Sequence, residues 1–259
     1  MNDKIYESFE YIKNLKKGFY YIEENFLKKH ICVLICYLNY EHIIKCYKSL
    51  QTEFTDFFIV ENKSVNSDKI HKFFMKEKPL GYIQFQENIS NNAMKIFLED
   101  FKYLLKDYEY ITRSDCDLYI EDSISTFNEI FKNLQFENVI MSSVDLSLLN
   151  LPRNIKGSDK WIPNPKKITK DYIEGNTGGH LMTVKNNDLN LFYATKCKDT
   201  LIYKEVCKRN KKWVKTLINK AYHLTWDLYY DGSDYLKFKR QQGNKLWNHT
   251  RISKYIKYI

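Results

Sequence analysis

Two carboxylates one residue apart, Asp115 and Asp117, end the apolar run around Tyr108, Tyr110 and Ile111, in the stretch Tyr-Ile-Thr-Arg-Ser-Asp-Cys-Asp-Leu-Tyr. In an extended segment, residues i and i+2 point to the same face, so the two acids are expected to share one at the end of a buried strand. Like charges that close repel, and they are tolerated best with something positive between them. Hard oxygen ligands suit Mg²⁺ or Mn²⁺, ions that complete their shell with water and with a ligand's phosphates. The pattern therefore predicts a metal–diphosphate site at a strand end. A solvated loop carrying two acids has the same local sequence, so the elements around it must decide.

Those elements alternate. Ile31 to Leu38 is a near-continuous apolar run of the kind buried on both faces of a parallel sheet. Phe57 to Val60, Tyr82 to Phe85, the aspartate-bearing segment and Val139 to Val144 read as further strands. Between them lie amphipathic stretches, clearest in Met94, Phe97, Leu98, Phe101, Leu104 and Leu105. Strand–helix alternation implies an α/β fold with a mixed, mostly parallel sheet, whose ligands gather at the carboxyl ends of the parallel strands. Asn39, Glu61, Asn62, Asn88, Asn91 and Asp115 all fall at such ends, and this shared rim favours a binding site over a solvated loop.

Residues 1–29 read as an N-terminal helical extension, 30–236 as the main domain and 237–259 as a basic tail. Leu151 to Asp171 reads as a long loop with three of the four prolines. The Gly-Gly-His turn at 178–180 leads into a strand, Leu181 to Val184. A helix is expected from Asp199 through Trp213, and Ala221 to Asp227 reads as a strand end bearing His223 and Asp227. The tail has seven Lys or Arg and no acid among its aromatics.

The formal charge of +9 fits an anionic partner: a nucleotide, an acidic lipid surface or, as a weaker competitor, a nucleic acid. The six cysteines form no Cys-x-x-Cys pair, which points to free buried thiols in a reducing compartment and away from zinc. No apolar run approaches the ~20 residues that span a bilayer, and no secretory signal opens the sequence. A cytoplasmic protein is expected, with peripheral contact to an anionic membrane open to the basic tail.

In order of parts, from about Ile31 to His223, the chain resembles nucleotide-sugar glycosyltransferases of the GT-A fold, nearest the family-2-like group. The correspondence runs through the polar turn after the first strand (Tyr37, Asn39), Glu61-Asn62-Lys63-Ser64 after the second, Asn88-Ile-Ser-Asn before a helix, Ser114-Asp-Cys-Asp, and Gly178-Gly179-His180-Leu181. The resemblance implies a nucleotide-binding half at 30–122 and an acceptor half at 123–236. It implies a nucleotide-sugar donor, with UDP the base-rate choice, and a glycan or lipid-linked acceptor. Single transfer is implied, because the Gln-x-x-Arg-Trp signature of processive synthases is absent.

The resemblance also assigns roles. Tyr37, Asn39, Glu61, Asn62, Asn88, Asn91 and Asp115 line the nucleotide site. Asp115, Asp117 and His223 hold Mn²⁺ or Mg²⁺, with His249 the rival for the last place. For inversion a carboxylate must take the proton of the acceptor hydroxyl, and Asp199 is the first candidate, Asp227 the second and Asp145 the third. Lys198 replaces the first acid of the family's acidic pair, and Asp199 could equally be a helix cap. Arg113, Arg240 and Lys245 are cations that could pair with phosphates. A sugar nucleotidyltransferase remains an alternative, although it would want a Gly-rich loop where Leu38-Asn39-Tyr40-Glu41 stands.

Overall fold

The computed structural model describes residues 29–37, 39–86, 88–89, 92–153, 165–175, 179–195, 198–230, 232–237 and 256–258. The expected N-terminal extension, most of the basic tail, Asn91, Arg240, Lys245 and His249 lie outside these residues.

Four parallel strands make the frame: β1 (His30–Cys36), β2 (Thr55–Glu61), β3 (Gly81–Phe85) and β4 (Tyr110–Asp115). Every residue of β1 is buried, which is why it reads as one apolar run. Helices α1 (Tyr40–Leu50), α2 (Ser67–Glu77) and α3 (Asn92–Phe101) connect these strands. Helix α1 buries Ile43, Cys46, Tyr47 and Leu50, one stripe at helical spacing. It starts at Asn39, whose Oδ1 accepts the His42 N–H at 3.1 Å.

The remaining elements are β5 (Leu118–Ile120), α4 (Ser123–Asn133), β6 (Val139–Leu146), β7 (Lys167–Ile168), β8 (Ile173–Glu174), β9 (Leu181–Lys185), α5 (Asn190–Thr195), α6 (Asp199–Lys208), β10 (Lys212–His223) and β11 (Ile256–Tyr258). Among the described residues they extend one sheet in the order β11-β3-β2-β1-β4-β9-β6-β10-β8-β7, with β5 paired to β10. Strand order reverses between β1 and β4, the kind of crevice where doubly wound sheets place ligands.

The expected α/β class is observed, a mixed, mostly parallel sheet flanked by helices, with one departure in the extent of a helix. Strand β9 runs antiparallel between β4 and β6. Its first residues meet the carboxyl end of β4, with Leu181 opposite Ser114, and Lys185 lies opposite Tyr110. The helix expected to reach Trp213 stops at Lys208. Asn210 takes a left-handed conformation (φ 53°) that turns the chain, and Trp213 lies in β10, its indole N–H donating to Ser143 Oγ at 2.6 Å. The carboxyl end of the chain returns at β11, antiparallel to β3 at the sheet edge.

Strand β10 is bulged. Its first part pairs with β6 up to Lys215–Ser143, and pairing resumes only at Lys220–Asp145. The Glu129 carboxylate on α4 accepts the backbone N–H groups of Leu217, Ile218 and Asn219. Donors that the ladder leaves unpaired are thus satisfied by one acid. Beyond the bulge, β10 also pairs with β5, setting His223 opposite Leu118.

His30 is fully buried between β2 and β4, with Nδ1 2.9 Å from Thr55 Oγ1 and Nε2 2.6 Å from Thr112 Oγ1. Burial lowers its pKa to about 3. Below its ordinary value the unfolded chain binds a proton that the folded chain refuses, so stability falls as pH falls. Near pH 5 this single group should cost about 2 kcal/mol relative to neutral pH. Urea denaturation at pH 7 and pH 5, with His30→Gln for comparison, should show a shallower acid slope in the variant.

Candidate metal centre

Asp117, His180 and His223 converge, each offering a ligand atom within 4.8 Å of the others. Three separate elements deliver them. Asp117 sits in the bend between β4 and β5, His180 immediately precedes β9, and His223 ends β10. The bend is fixed from behind by Cys116, whose Sγ accepts the Tyr37 N–H at 3.2 Å and lies 3.0 Å from the Tyr37 carbonyl. Burial, reinforced by the charge of Asp117, raises the Cys116 pKa and keeps it a neutral thiol. Main-chain bonds complete the clasp: Leu224 N–H donates to Asp117 O at 2.7 Å, and Asp115 N–H to His180 O at 2.6 Å.

Each imidazole is oriented by a neighbour. Thr225 Oγ1 lies 3.2 Å from both Asp117 Oδ2 and His223 Nδ1. The carboxylate can only accept, so Thr225 donates to Asp117 and receives the Nδ1–H of His223. That tautomer leaves a lone pair on His223 Nε2, 3.7 Å from Asp117 Oδ2. The His223 ring stacks on Trp226, with centroids 4.8 Å apart and planes within 5°. His180 Nδ1 faces Asp115 Oδ2 at 3.4 Å, which turns its other nitrogen away from Asp115. A ligating imidazole typically gives its second N–H to such a partner.

Asp115 itself is engaged. Its Oδ1 pairs with Arg113 at 2.6 Å, the two residues sharing one face of β4, and Arg113 also donates to the Gly179 carbonyl. Burial would raise the Asp115 pKa, but Arg113 and His180 outweigh it and hold the carboxyl below its usual range. Burial would lower His180, but contact with Asp115, with help from Asp117 and Asp199, raises it.

The donor set suits a divalent cation. One carboxylate and two imidazoles meet, and the buried Asp117 Oδ1 has no hydrogen-bond partner among the described residues. Thr225→Val should weaken Mn²⁺ binding about 10- to 100-fold, as loss of a ligand-orienting partner typically does. Calorimetric titration of wild type and variant with Mn²⁺ checks this.

The other expected site residues divide into those near the centre and those bracing the rim. Asp199 is the first residue of α6, and its Oδ2 accepts the Gly179 N–H at 2.7 Å rather than capping its own helix. A Cβ on Gly179 would overlap the Asp199 carboxylate, so glycine permits the approach. Asp227 lies in the turn after β10, exposed, accepting from Tyr222 Oη at 3.0 Å and Asn150 Nδ2 at 3.2 Å.

Glu61 is fully buried and accepts from Ser64 N–H and from Ser67 Oγ at 3.1 Å, with burial raising its pKa. Asn62 joins two strand ends to the segment after β3, its N–H donating to Cys36 O at 2.7 Å and its Oδ1 accepting the Ile89 N–H at 2.8 Å. Tyr37, Asn39 and Asn88 lie on the same rim, partly exposed. Asp145 is buried against Lys215 at 2.7 Å. His180 was not among the expected ligands; the signal was its place directly after two glycines at a strand start.

No family model matches the chain. It is 32% identical over 248 residues to uncharacterized protein L137 of Acanthamoeba polyphaga mimivirus and 33% identical over 258 residues to uncharacterized protein L142 of the same virus. These alignments take in 88% and 90% of this chain, but 34% and 51% of those proteins. The chain thus spans about a quarter to a half of the length of the curated relatives it matches. Among solved structures it is similar to the mannosyltransferase PcManGT from Pyrobaculum calidifontis in complex with GDP-Man and Mn²⁺. The TM-score is 0.55 at 11% identity, covering 90% of this chain and 67% of that one. It is also similar to S. aureus TarS, with a TM-score of 0.50 at 12% identity, covering 87% of this chain and 41% of that one. The chain has a GT-A-like fold.

Proposed function

We propose that the chain is a metal-dependent glycosyltransferase that moves one sugar from a nucleoside-diphosphate donor, UDP as first choice, to a glycan or lipid-linked saccharide. The observation that carries this reading is the meeting of Asp117, His180 and His223 where β4 and β10 end, beside the strand-order reversal. Its support from the fold is the likeness to a mannosyltransferase bound to GDP-Man and Mn²⁺. When bound, the cation would supply positive charge to the leaving diphosphate. Two imidazoles beside one carboxylate favour Mn²⁺ over the oxygen-preferring Mg²⁺.

The chain's own groups do the rest in this reading. Asp115 and Arg113 hold His180 in place, and Thr225 holds His223. The rim of Tyr37, Asn39, Glu61, Asn62 and Asn88 receives the nucleoside; Asn91 and Lys245, outside the described residues, are further candidates for the nucleotide and its phosphates. Asp199 accepts the proton of the attacking hydroxyl, with Asp227 the second candidate. Among the described residues no helix is long and apolar enough to cross a membrane. We place the reaction in the cytoplasm, with the basic tail available to an anionic membrane surface.

Thermal-shift titration with UDP, GDP and CDP, with and without Mn²⁺, tests the reading. Stabilisation by one nucleotide that requires the metal is the expected result; no response to any nucleotide would overturn it. Metal-independent, strongly salt-dependent binding of oligonucleotides would instead mark a nucleic-acid-binding domain. Asp199→Asn should lower kcat about 10²- to 10⁴-fold, the usual worth of a general base, with nucleotide and Mn²⁺ binding intact. A larger loss in Asp227→Asn would transfer the role to Asp227.

A further inference from the structure

The turn after β6 forms a groove beside the metal centre that the donor reading leaves unused. Ser147, Leu148, Leu149, Arg153 and Lys220 enclose about 560 Å³ of open space. The turn is fastened to the strand that carries the metal ligand. Ser147 N–H donates to Ala221 O at 2.8 Å, and Asn150 Nδ2 donates to His223 O at 2.8 Å. The turn is therefore seated against the strand end that carries His223.

Charge in the groove is unbalanced. Asp145 is matched by the buried Lys215 at 2.7 Å, and Lys220, half-exposed, approaches the same carboxylate at 3.6 Å. Arg153 has no ion-pair partner among the described residues. Lys220 and Arg153 are thus the two cations that line the open space, while Asp145 is engaged by Lys215 and Asp227 accepts from Asn150 and Tyr222. Next to them Leu149 holds its side chain 91% exposed, an apolar wall with nothing packed on it. A neutral glycan would use the wall and leave the cations idle; a bare anion would do the reverse.

We propose that this groove is the acceptor site and that the acceptor is an anionic saccharide. Its phosphate or carboxylate would meet Lys220 and Arg153, and its sugar face would lie on Leu148 and Leu149. The role as acceptor rests on the glycosyltransferase reading, whereas the selectivity for anionic sugars does not.

The test is titration of the full chain, by ligand-observed NMR at fixed ionic strength, with glucose 6-phosphate, glucuronate, glucose and inorganic phosphate. Both anionic sugars should bind at least tenfold tighter than glucose, and glucose 6-phosphate tighter than phosphate. Lys220→Ala with Arg153→Ala should erase the preference while the Mn²⁺-dependent nucleotide response persists. Equal binding of glucose and glucose 6-phosphate would overturn the proposal, as would a preference unchanged in the double variant. Phosphate binding as tightly as its sugar ester would overturn it too, by reducing the groove to an unselective anion patch. Anionic phospholipid vesicles competing away the sugars would make the groove a membrane contact and overturn it likewise. If the sugar preference holds but no nucleotide stabilises the protein, the transferase reading fails and the groove's selectivity stands.

Discussion

Replacing Asp117 by Asn should abolish the Mn²⁺ response without unfolding the protein. The buried Oδ1 has no hydrogen-bond partner among the described residues, whereas Oδ2 is held by Thr225. An amide keeps the shape and that contact but gives up the charge a cation needs. Without metal the variant should be no less stable than wild type, because a poorly compensated charge has been removed from a half-closed site. With Mn²⁺ at about a hundred times its Kd, wild type gains about 2.7 kcal/mol and the variant should gain nothing. Paired thermal scans with Mn²⁺ and Mg²⁺ read both halves of the expectation, and Mg²⁺ should stabilise wild type less. An unchanged Mn²⁺ response in the variant would remove Asp117 from the centre.

Asp145→Ala should be the most damaging single change to stability. Lys215 is 1% exposed, and burial lowers its pKa even though Asp145 pulls the other way. Removing the acid strands an ammonium in the interior, which typically costs about 3–5 kcal/mol. The loss should shrink as pH rises towards 10. Without its partner, Lys215 folds neutral while the unfolded chain stays protonated, so the unfolded state binds more protons and stability climbs with pH. Combining Asp145→Leu with Lys215→Met should recover most of the loss, since paired apolar replacements often match a buried ion pair. Urea denaturation across this pH range checks both; an equally unstable double variant would mean that packing, not charge, dominates there.

The parallel half of the sheet could be read from residue order because β1 to β4 are buried on both faces and bounded by polar turns. The antiparallel insertion of β9 could not, since its direction shows only in its long-range pairing with β4 and β6. Trp213 was read into a helix because Ile202, Val206 and Trp213 fit helical spacing well enough to mask the reversal at Asn210. At the site, the two aspartates were legible as a pair but not as separate actors. Strand alternation groups Arg113 with Asp115, whereas Asp117 lies beyond the strand end and turns to Thr225 and His223. His180 was marked only by the two glycines before it, because its role comes from the registry of β9 against β4, a long-range pairing. Cys116 carried no chemical signal, yet its thiol ties the bend to Tyr37.

The Glu129 cradle makes one part of the molecule adjustable independently of another. Before the bulge, β10 is anchored by Trp213 and Lys215 in the interior; after it, the strand carries His223. The slack between the two is held by Glu129 at Leu217, Ile218 and Asn219, with Ile218 81% exposed. Lengthening or shortening that slack would slide the histidine relative to Asp117 while the interior kept its fit. The spacing of His223 from Asp117 is therefore a matter of spacer length, open to change by insertion or deletion at 217–219 with neither residue substituted.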